Sequence, residues 1–188
     1  MTREQLLRYL KIEVIGDLDR ELSLWRLWRR ARKHGARNFV FWFRIAQYLY
    51  ASDNRLLKSV GKAINRRMMR RYSVEIMLGV QIGEGLFIGH PIGIVVNSGC
   101  VIGKNFTLRQ NTTIGTTAQG LGDHQDIIIG DNVSVGANSC IVGSGLTIGD
   151  NVTIGAMSFV NKDIPSNSVY MTRKESLVKP VERVGLNA

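Results

Sequence analysis

Residues 101–115 read VIGKNFTLRQNTTIG, a stretch in which an aliphatic residue followed by a small or polar one returns every six positions. The pattern extends back to residue 82 and, after an interruption, resumes over residues 129–161. A period of six fits neither the 3.6-residue repeat of a helix nor the two-residue repeat of a strand. It predicts a parallel β-helix with three flat sides, in which the aliphatic residue points inward and the next residue turns the corner, where Gly or Asn tolerates unusual backbone angles. The aliphatic positions are Ile82, Ile88, Val96, Ile102, Leu108, Ile114, Ile129, Val135, Ile141, Ile148, Ile154 and Val160.

The repeat is interrupted at two places, and both are candidate binding sites. Two extra residues fall around residues 89–93, and a long excursion over residues 116–128 separates the two runs of hexads. Solenoid proteins often carry such insertions on the face that binds a ligand. Two of the three histidines, His90 and His124, lie in these irregular segments.

The amino-terminal part of the chain has a different character. Residues 1–72 carry 18 Lys and Arg against 6 Asp and Glu, whereas residues 73–188 carry 7 against 9. The whole net charge of +10 therefore resides in the first part. Apolar residues at helical spacing predict helices there, and their predicted caps are Thr2 with Gln5 in a capping box, Asp17, Asn38 and Asp53. We expect a basic α-helical region over 1–72, a β-helix over 73–168 with a loop at 116–128, and a tail over 169–188.

Composition disfavours several classes of protein. Cys100 and Cys140 are the only cysteines, too few for a disulfide framework in a chain of 188 residues,. No apolar run approaches the roughly 20 residues that span a bilayer, and residues 1–5 lack the apolar core of a secretory signal. We therefore expect a cytoplasmic protein without a metal cluster, in which both cysteines are small repeat residues rather than nucleophiles.

The segment around His90 resembles a known family. Glu75 and Ile76, together with residues 82–95, IGEGLFIGHPIGIV, are similar to the active-site segment of the serine acetyltransferase branch of the left-handed β-helix, hexapeptide-repeat acyltransferases. The resemblance covers about residues 72–179 and includes the two-residue insertion. It implies a mainly β protein with a left-handed parallel β-helix, a catalytic base at His90 and, at Glu75, a carboxylate that orients it. Neutral imidazole suits the activation of a hydroxyl for attack on a thioester, although a loop histidine satisfied by the backbone is the plain alternative.

The same resemblance implies two further groups of contacts. The long loop carries Asp123 and His124 where the family contacts its amino-acid substrate, but the arginine of that motif is absent, and a solvated loop histidine is an equal alternative. For acetyl-CoA, the cofactor-binding residues implied are Gly115, Thr116, Gly136, Ala137, Gly155, Ala156 and Lys179. For Gly136 and Gly155 the alternative is that the corners of the repeat demand small residues in any case.

These features lead to a functional interpretation with a competing one. Because an arginine fork is the usual holder of a carboxylate, its absence and the short helical region favour an acetyl-CoA-dependent O-acetyltransferase that acts on a saccharide hydroxyl in surface-polysaccharide synthesis. Serine O-acetylation in cysteine biosynthesis is the alternative. A non-catalytic β-helix scaffold is a third reading, and nucleic-acid binding is disfavoured because the aromatic residues follow the apolar helix faces. The family implies a homotrimer with active sites between neighbouring coils.

The basic helices permit one more contact. Arg26 and Arg29 beside Trp25 and Trp28, like the basic stretch over residues 58–72, have the character of helices that lie on anionic membranes,. A solvated helical cap with packed aromatics is the favoured alternative. We expect at most weak peripheral binding of the chain to the inner membrane.

Overall fold

The structure is a computed structural model, and it describes residues 1–17, 23–116, 127–176 and 178. Within these residues a helical region precedes a stack of short parallel strands. Helices make up 35% of the structure, so the prediction of a mainly β protein is only partly confirmed. The helices are α1 (Arg3–Leu10), a π-helical turn (Lys11–Ile15), α2 (Leu24–Lys33), α3 (Gly35–Tyr50) and α4 (Arg55–Tyr72).

The predicted start of α1 is confirmed. Its capping box is formed, with the Gln5 backbone N–H donating to Thr2 Oγ1 at 3.2 Å and the Thr2 backbone N–H donating to Gln5 Oε1 at 2.8 Å. Asn38 lies inside α3, where its side chain accepts a hydrogen bond from the Tyr72 hydroxyl at 2.9 Å. The caps predicted at Asn38 and Asp53 are therefore wrong, and the N-cap positions of α2, α3 and α4 are Ser23, His34 and Asn54. The residues that would follow a cap at Asp17 lie outside the described residues.

The strands form three parallel sheets that make the sides of a β-helix. Sheet A has the order β1-β4-β7-β10-β13, sheet B the order β2-β5-β8-β11, and sheet C the order β3-β6-β9-β12-β14. Each coil thus visits sheets A, B and C in turn before it pairs with the coil above. The strands are β1 (Val74–Ile76), β2 (Gln81–Ile82), β3 (Phe87–Ile88), β4 (Ile94–Val96), β5 (Cys100–Ile102), β6 (Thr107–Leu108), β7 (Thr113–Gly115), β8 (Ile127–Ile129), β9 (Ser134–Val135), β10 (Cys140–Val142), β11 (Thr147–Ile148), β12 (Thr153–Ile154), β13 (Phe159–Val160) and β14 (Val169–Tyr170).

The inward positions predicted from the hexads are confirmed. All twelve aliphatic residues of the repeat are buried, from Ile82 at 6% exposure to Val96 and Val160 at 0%. A second inward position, occupied by Phe106, Val133 and similar residues, was not identified from the repeat. The core is therefore a column of aliphatic layers enclosed by the three sheets.

The corners are built differently from the sequence prediction. The glycines that directly follow the inward residues do not adopt left-handed backbone angles. At most of them, although not at Gly89 or Gly115, the next coil lies too close for a side chain. A Cβ on Gly103, for example, would lie 2.7 Å from the carbonyl carbon of Gly130. The left-handed residues are mostly asparagines three positions after the inward residue, such as Asn105 and Asn132, at φ 54° and 58°. Asparagine tolerates this conformation, and the Asn105 side chain donates to that of Asn132 at 2.9 Å.

The helical region packs on the first coil and extends its core. Phe39 and Phe43 of α3 and Met68 of α4 belong to the same buried cluster as Val74 and Ile76 of β1. The helices therefore cover the end of the β-helix at which the coil containing His90 begins. The division of the chain into domains stays a prediction.

Candidate active site

His90 lies at the edge where sheet C turns into sheet A, and we call this the C/A edge. The turn from β3 to β4 covers residues 89–93, and the register shows the insertion: the paired positions Ile88 and Val96 are two residues further apart than Leu108 and Ile114 in the next coil. Gly93 adopts the left-handed conformation (φ 65°) that Asn111 adopts in that coil. A side chain at Gly93 would collide with Asn111, whose side-chain oxygen lies 2.2 Å from the expected Cβ position. The two added residues leave His90 exposed at the corner.

Glu75 occupies the middle of β1 and points outward from sheet A. Its neighbours Val74 and Ile76 are buried while Glu75 is half-buried, and it pairs in register with Val95 of β4. The structure gives no hydrogen bond or ion pair between Glu75 and His90, although both residues are described. The two groups border the same sheet, and the catalytic pair stays a prediction.

Arg109 is a residue at this edge that the sequence analysis missed. The Gly89 N–H donates to the Leu108 carbonyl at 2.9 Å, and this stacks residues 89 and 109 on successive coils. A Cβ on Gly89 would lie 4.0 Å from Arg109 Cγ. Arg109 is exposed and joins no ion pair of the described chain. The available signal was that an arginine stands where most hexads place a glycine.

Part of the predicted acetyl-donor site lies on the same edge. Gly136 and Ala137 follow β9, and Gly155 and Ala156 follow β12, so both turns stand above the His90 turn at the C/A edge. A Cβ on Gly136 would lie 2.4 Å from the Ala156 nitrogen, so the close stacking of the coils accounts for this glycine. At Gly155 the nearest atom would be the flexible Met171 Cγ at 3.0 Å, which leaves more room.

The other described donor residues lie at a different edge. Gly115 ends β7, where sheet A leads toward sheet B, and Thr116 follows it. We call this the A/B edge. A Cβ on Gly115 would meet no atom of the described residues within 4 Å, and the φ of Gly115 is not in the left-handed region. Neither the backbone angle nor packing against the described residues therefore requires glycine here, and the close approach of a ligand is a physical reason for it.

Three predicted site residues lie outside the described residues. They are Asp123 and His124 of the long loop, predicted to contact the acceptor, and Lys179 of the tail, predicted to contact acetyl-CoA. Among the residues that the structure does describe, no group of three or more His, Cys, Asp or Glu side chains could hold a metal ion. Burial raises the pKa of the Cys140 thiol, which disfavours the thiolate,.

No helix in the described part of the chain has both the length and the apolar character needed to cross a membrane.

Comparison with protein families gives one matching family model. Residues 126–162 match the model described as the hexapeptide repeat of succinyl-transferase. This match covers β8 to β13, and it agrees with the repeat read from the sequence. Together with the parallel sheets, the family implies a left-handed winding of the β-helix.

Curated relatives match a larger part of the chain. The chain is 38% identical over 136 residues to the serine acetyltransferase of Staphylococcus xylosus, which covers 72% of this chain and 60% of the relative. It is also 38% identical over 122 residues to the mitochondrial serine acetyltransferase 3 of Arabidopsis thaliana, covering 65% of this chain and 30% of the relative. The chain thus spans between 30% and 60% of the length of the curated relatives it matches.

Solved structures show the same fold. The serine acetyltransferase of Neisseria gonorrhoeae in complex with serine superposes with a TM-score of 0.72 at 26% identity, covering 89% of this chain and 66% of that one. The soybean serine acetyltransferase complexed with serine gives a TM-score of 0.75 at 24% identity, covering 93% and 70%.

These comparisons confirm the predicted resemblance to an acyltransferase family and correct the predicted acceptor. The relatives are named serine acetyltransferases, and the similar structure from Neisseria gonorrhoeae contains serine. The interpretation as a saccharide acetyltransferase of polysaccharide synthesis is therefore wrong. It rested on the missing arginine of the long loop and on the short helical region.

Proposed function

We propose, on the premise that the chain belongs to the hexapeptide-repeat acyltransferases, that it transfers the acetyl group of acetyl-CoA to the hydroxyl of L-serine. The product, O-acetylserine, is the one expected of an enzyme in cysteine biosynthesis. The observation that carries the proposal is the exposed His90 in the two-residue insertion of the β-helix, in a chain that aligns with a serine acetyltransferase over 72% of its length.

His90 acts as the general base in this proposal. Its neutral imidazole takes the proton of the serine hydroxyl while the hydroxyl oxygen attacks the thioester carbonyl. The tetrahedral intermediate then expels the thiolate of coenzyme A, and the imidazolium returns the proton to that sulfur. Glu75 holds the other ring nitrogen and stabilises the positive charge. Such catalytic hydrogen bonds often form only when substrate is bound, so their absence from the free chain is compatible with this role.

Arg109 supplies the group that the long loop lacks. A guanidinium can hold a carboxylate through two parallel hydrogen bonds. Arg109 stacks one coil above the His90 turn, is exposed, and has no acidic partner in the described chain. We assign Arg109 the role of binding the carboxylate of L-serine. An amino-acid acceptor then does not require the arginine that is missing from the long loop.

The acetyl donor occupies the edges of sheet A in an assembly of several chains. Gly136, Ala137, Gly155 and Ala156 are on the C/A edge with His90, whereas Gly115 is on the A/B edge of the same chain. In a closed ring of subunits, one surface of each chain contacts a different surface of the next. A homotrimer can therefore bring the C/A edge of one chain to the A/B edge of its neighbour, with acetyl-CoA between them.

Exposed apolar side chains support contact between chains at this place. They lie on the outer face of sheet A and along the C/A edge, and a patch of this kind on a folded chain commonly marks an interface. They are Ile92 (61% exposed), Val95 (38%), Met157 (56%), Phe159 (51%) and Met171 (72%).

The proposal is tested by coenzyme A release from acetyl-CoA with L-serine, sugars and nucleotide sugars as separate acceptors. We expect turnover with L-serine, and His90→Ala should lower it by about 10²- to 10⁴-fold. His34→Ala is the matched control, because His34 is also exposed and its side chain caps no helix. Turnover with a sugar but not with L-serine, or equal activity of the two variants, contradicts the proposal.

A further inference from the structure

A cavity of about 750 Å³ lies where α2, the start of α3 and the end of α4 meet. Its inner wall includes Met68, which is 4% exposed and belongs to the main core, and the half-buried ring of Tyr72. Three exposed guanidinium groups, those of Arg32, Arg67 and Arg71, stand around it. The remaining lining residues are Gly35, Asn38, Trp42 and Ile64.

The inner wall is held in place by contacts of its own. The Tyr72 hydroxyl donates to Asn38 Oδ1 at 2.9 Å and so ties the end of α4 to α3. The Tyr72 ring also meets Phe39 edge to face, with ring centroids 5.8 Å apart. A wall fixed before binding reduces the entropic cost of taking up a ligand.

The positive charge around the cavity has no counter-charge in the described chain. Arg67 and Arg71 are four residues apart on one face of α4, a spacing at which like charges destabilise a helix. Neither these two nor Arg32 forms an ion pair among the described residues. Residues 23–72, which include all of the lining, hold 14 Arg and Lys and a single acidic residue, Asp53. A bound anion would offset this repulsion.

We propose that this cavity binds a phosphate group carried by a molecule with an apolar or aromatic part. An arginine guanidinium can bind two phosphate oxygens at once through parallel hydrogen bonds. The charged side chains in the described lining of the cavity are all arginines. Trp42, 37% exposed, and Tyr72 supply aromatic surface for the rest of the ligand. The volume falls within the usual range for small-molecule sites, roughly 300–1,000 Å³. The same chemistry is found in a soluble phosphate ester and in the headgroup of an anionic lipid.

This site is separate from the proposed acetyl-donor site. All of its lining residues lie between Arg32 and Tyr72, in the helices that cover the first coil. Gly136 and Gly155 belong to the third and fourth coils. Acetyl-CoA bound at those coils would leave the cavity free, so the inference goes beyond the proposed function.

The chain offers a matched pair of double variants for the test. Arg67→Ala/Arg71→Ala removes two charges that line the cavity, and Arg66→Ala/Arg70→Ala removes two exposed charges at the same spacing on the same helix that do not line it. Binding is measured by calorimetric titration with inorganic pyrophosphate and by co-sedimentation with phosphatidylcholine vesicles, with and without phosphatidylglycerol. We expect Arg67→Ala/Arg71→Ala, the cavity pair, to weaken binding at least tenfold, about 1.4 kcal/mol. Arg66→Ala/Arg70→Ala, the control pair, should change binding little.

The pattern of results identifies the source of the phosphate. Selective loss of pyrophosphate binding indicates a soluble ligand, and selective loss of binding to the phosphatidylglycerol vesicles alone indicates a lipid headgroup. Equal loss in both pairs shows a general charge effect and overturns the site, as does the absence of binding to either probe. The KM for acetyl-CoA should be the same in both pairs; a rise in the cavity pair alone would make the cavity part of the donor site. Serine acetylation by a chain that binds neither probe would leave the proposed function standing.

Discussion

Arg44 and Glu13 form an ion pair in which both side chains are fully buried, between the helices and the first coil of the β-helix. Arg44 Nε and Nη2 donate to the two carboxylate oxygens at 2.9 Å and 2.7 Å. Arg44 also donates to the backbone carbonyls of Ile82 at 3.0 Å and Gly83 at 2.6 Å. Glu13 accepts from the Gly85 N–H at 3.0 Å. The pair thus joins the π-helical turn and α3 to the turn after β2.

Arg44→Ala should destabilise the chain strongly. It leaves the Glu13 carboxylate buried without its counter-charge, a change that typically costs about 3–5 kcal/mol. Arg55→Ala, which removes an exposed arginine at the start of α4, should change stability by less than about 0.5 kcal/mol,. Chemical denaturation of both variants measures the difference. Equal stability of the two would show that the buried pair does not hold the helices on the β-helix.

The second ion pair between these regions predicts a pH dependence. The hydrogen bond from Arg8 holds the pKa of Glu84 below its usual value, and the Arg8 Nη2–Glu84 Oε1 distance is 3.1 Å. Because the folded pKa is depressed, the pair stabilises the fold above the unfolded pKa of about 4.3, and this contribution is lost as the pH falls through the folded value. Arg8→Ala should therefore lower the Tm slightly at pH 7 and not at strongly acidic pH. The same Tm difference at both pH values would exclude this linkage.

The β-helix was predictable because its physical requirement repeats. Every coil needs an inward aliphatic residue at the same position, so twelve positions report the same constraint, and all of them are buried. The exposed position of His90 at a corner was predictable because the two-residue insertion breaks that repeat, whereas its role as a base stays a prediction. The corner glycines were identified, but for the wrong reason, since the approach of the next coil cannot be seen in the sequence.

The remaining features involve partners far apart in the chain. Arg44 is one of 18 basic residues in the first 72, and nothing local marks it as the one that is 0% exposed. Its partner Glu13 lies 31 residues away. The position of Arg109 beside the His90 turn likewise depends on the stacking of two coils. The cavity of α2, α3 and α4 depends on how three helices meet, which helical periodicity does not reveal.

Glu75→Gln should lower kcat while leaving the KM for L-serine nearly unchanged. The amide keeps the size of the side chain but cannot stabilise the imidazolium of His90, and loss of the orienting carboxylate in a comparable catalytic triad costs up to about 10⁴-fold. Glu75→Asp, which keeps the carboxylate, should retain most of the activity. Steady-state kinetics with L-serine as the varied substrate separates the two parameters. Equal kcat in the Gln and Asp variants would remove Glu75 from the mechanism.

Arg109→Ala should act on the acceptor rather than on the chemical step. If its guanidinium holds the carboxylate of L-serine, its loss should raise the KM for L-serine by roughly tenfold to a hundredfold, from a charged hydrogen bond of about 1.5–3 kcal/mol. The KM for acetyl-CoA should stay the same. Arg109→Lys keeps the charge without the fork and should fall between Ala and the unchanged chain. A rise in the KM for acetyl-CoA instead would assign Arg109 to the donor.

Gly115→Ala and Gly136→Ala should separate ligand binding from folding. A methyl group on Gly136 would lie 2.4 Å from the Ala156 nitrogen, so this variant has to shift the coil above and should lose roughly 1–3 kcal/mol of stability,. A methyl group on Gly115 meets no atom of the described residues within 4 Å, and stability should change by less than about 0.5 kcal/mol,.

The Gly115→Ala variant is expected to change the KM for acetyl-CoA rather than the stability. If the donor passes close to the A/B edge, the added methyl at Gly115 occupies space that the ligand needs, and the KM for acetyl-CoA should rise severalfold at unchanged stability. Thermal melting and acetyl-CoA kinetics on the same samples give both quantities. An unchanged KM in the Gly115→Ala enzyme would place acetyl-CoA away from this edge. The assembly argument that joins the A/B edge of one chain to His90 of its neighbour would then fail as well, because Gly115 is the described residue that carries it.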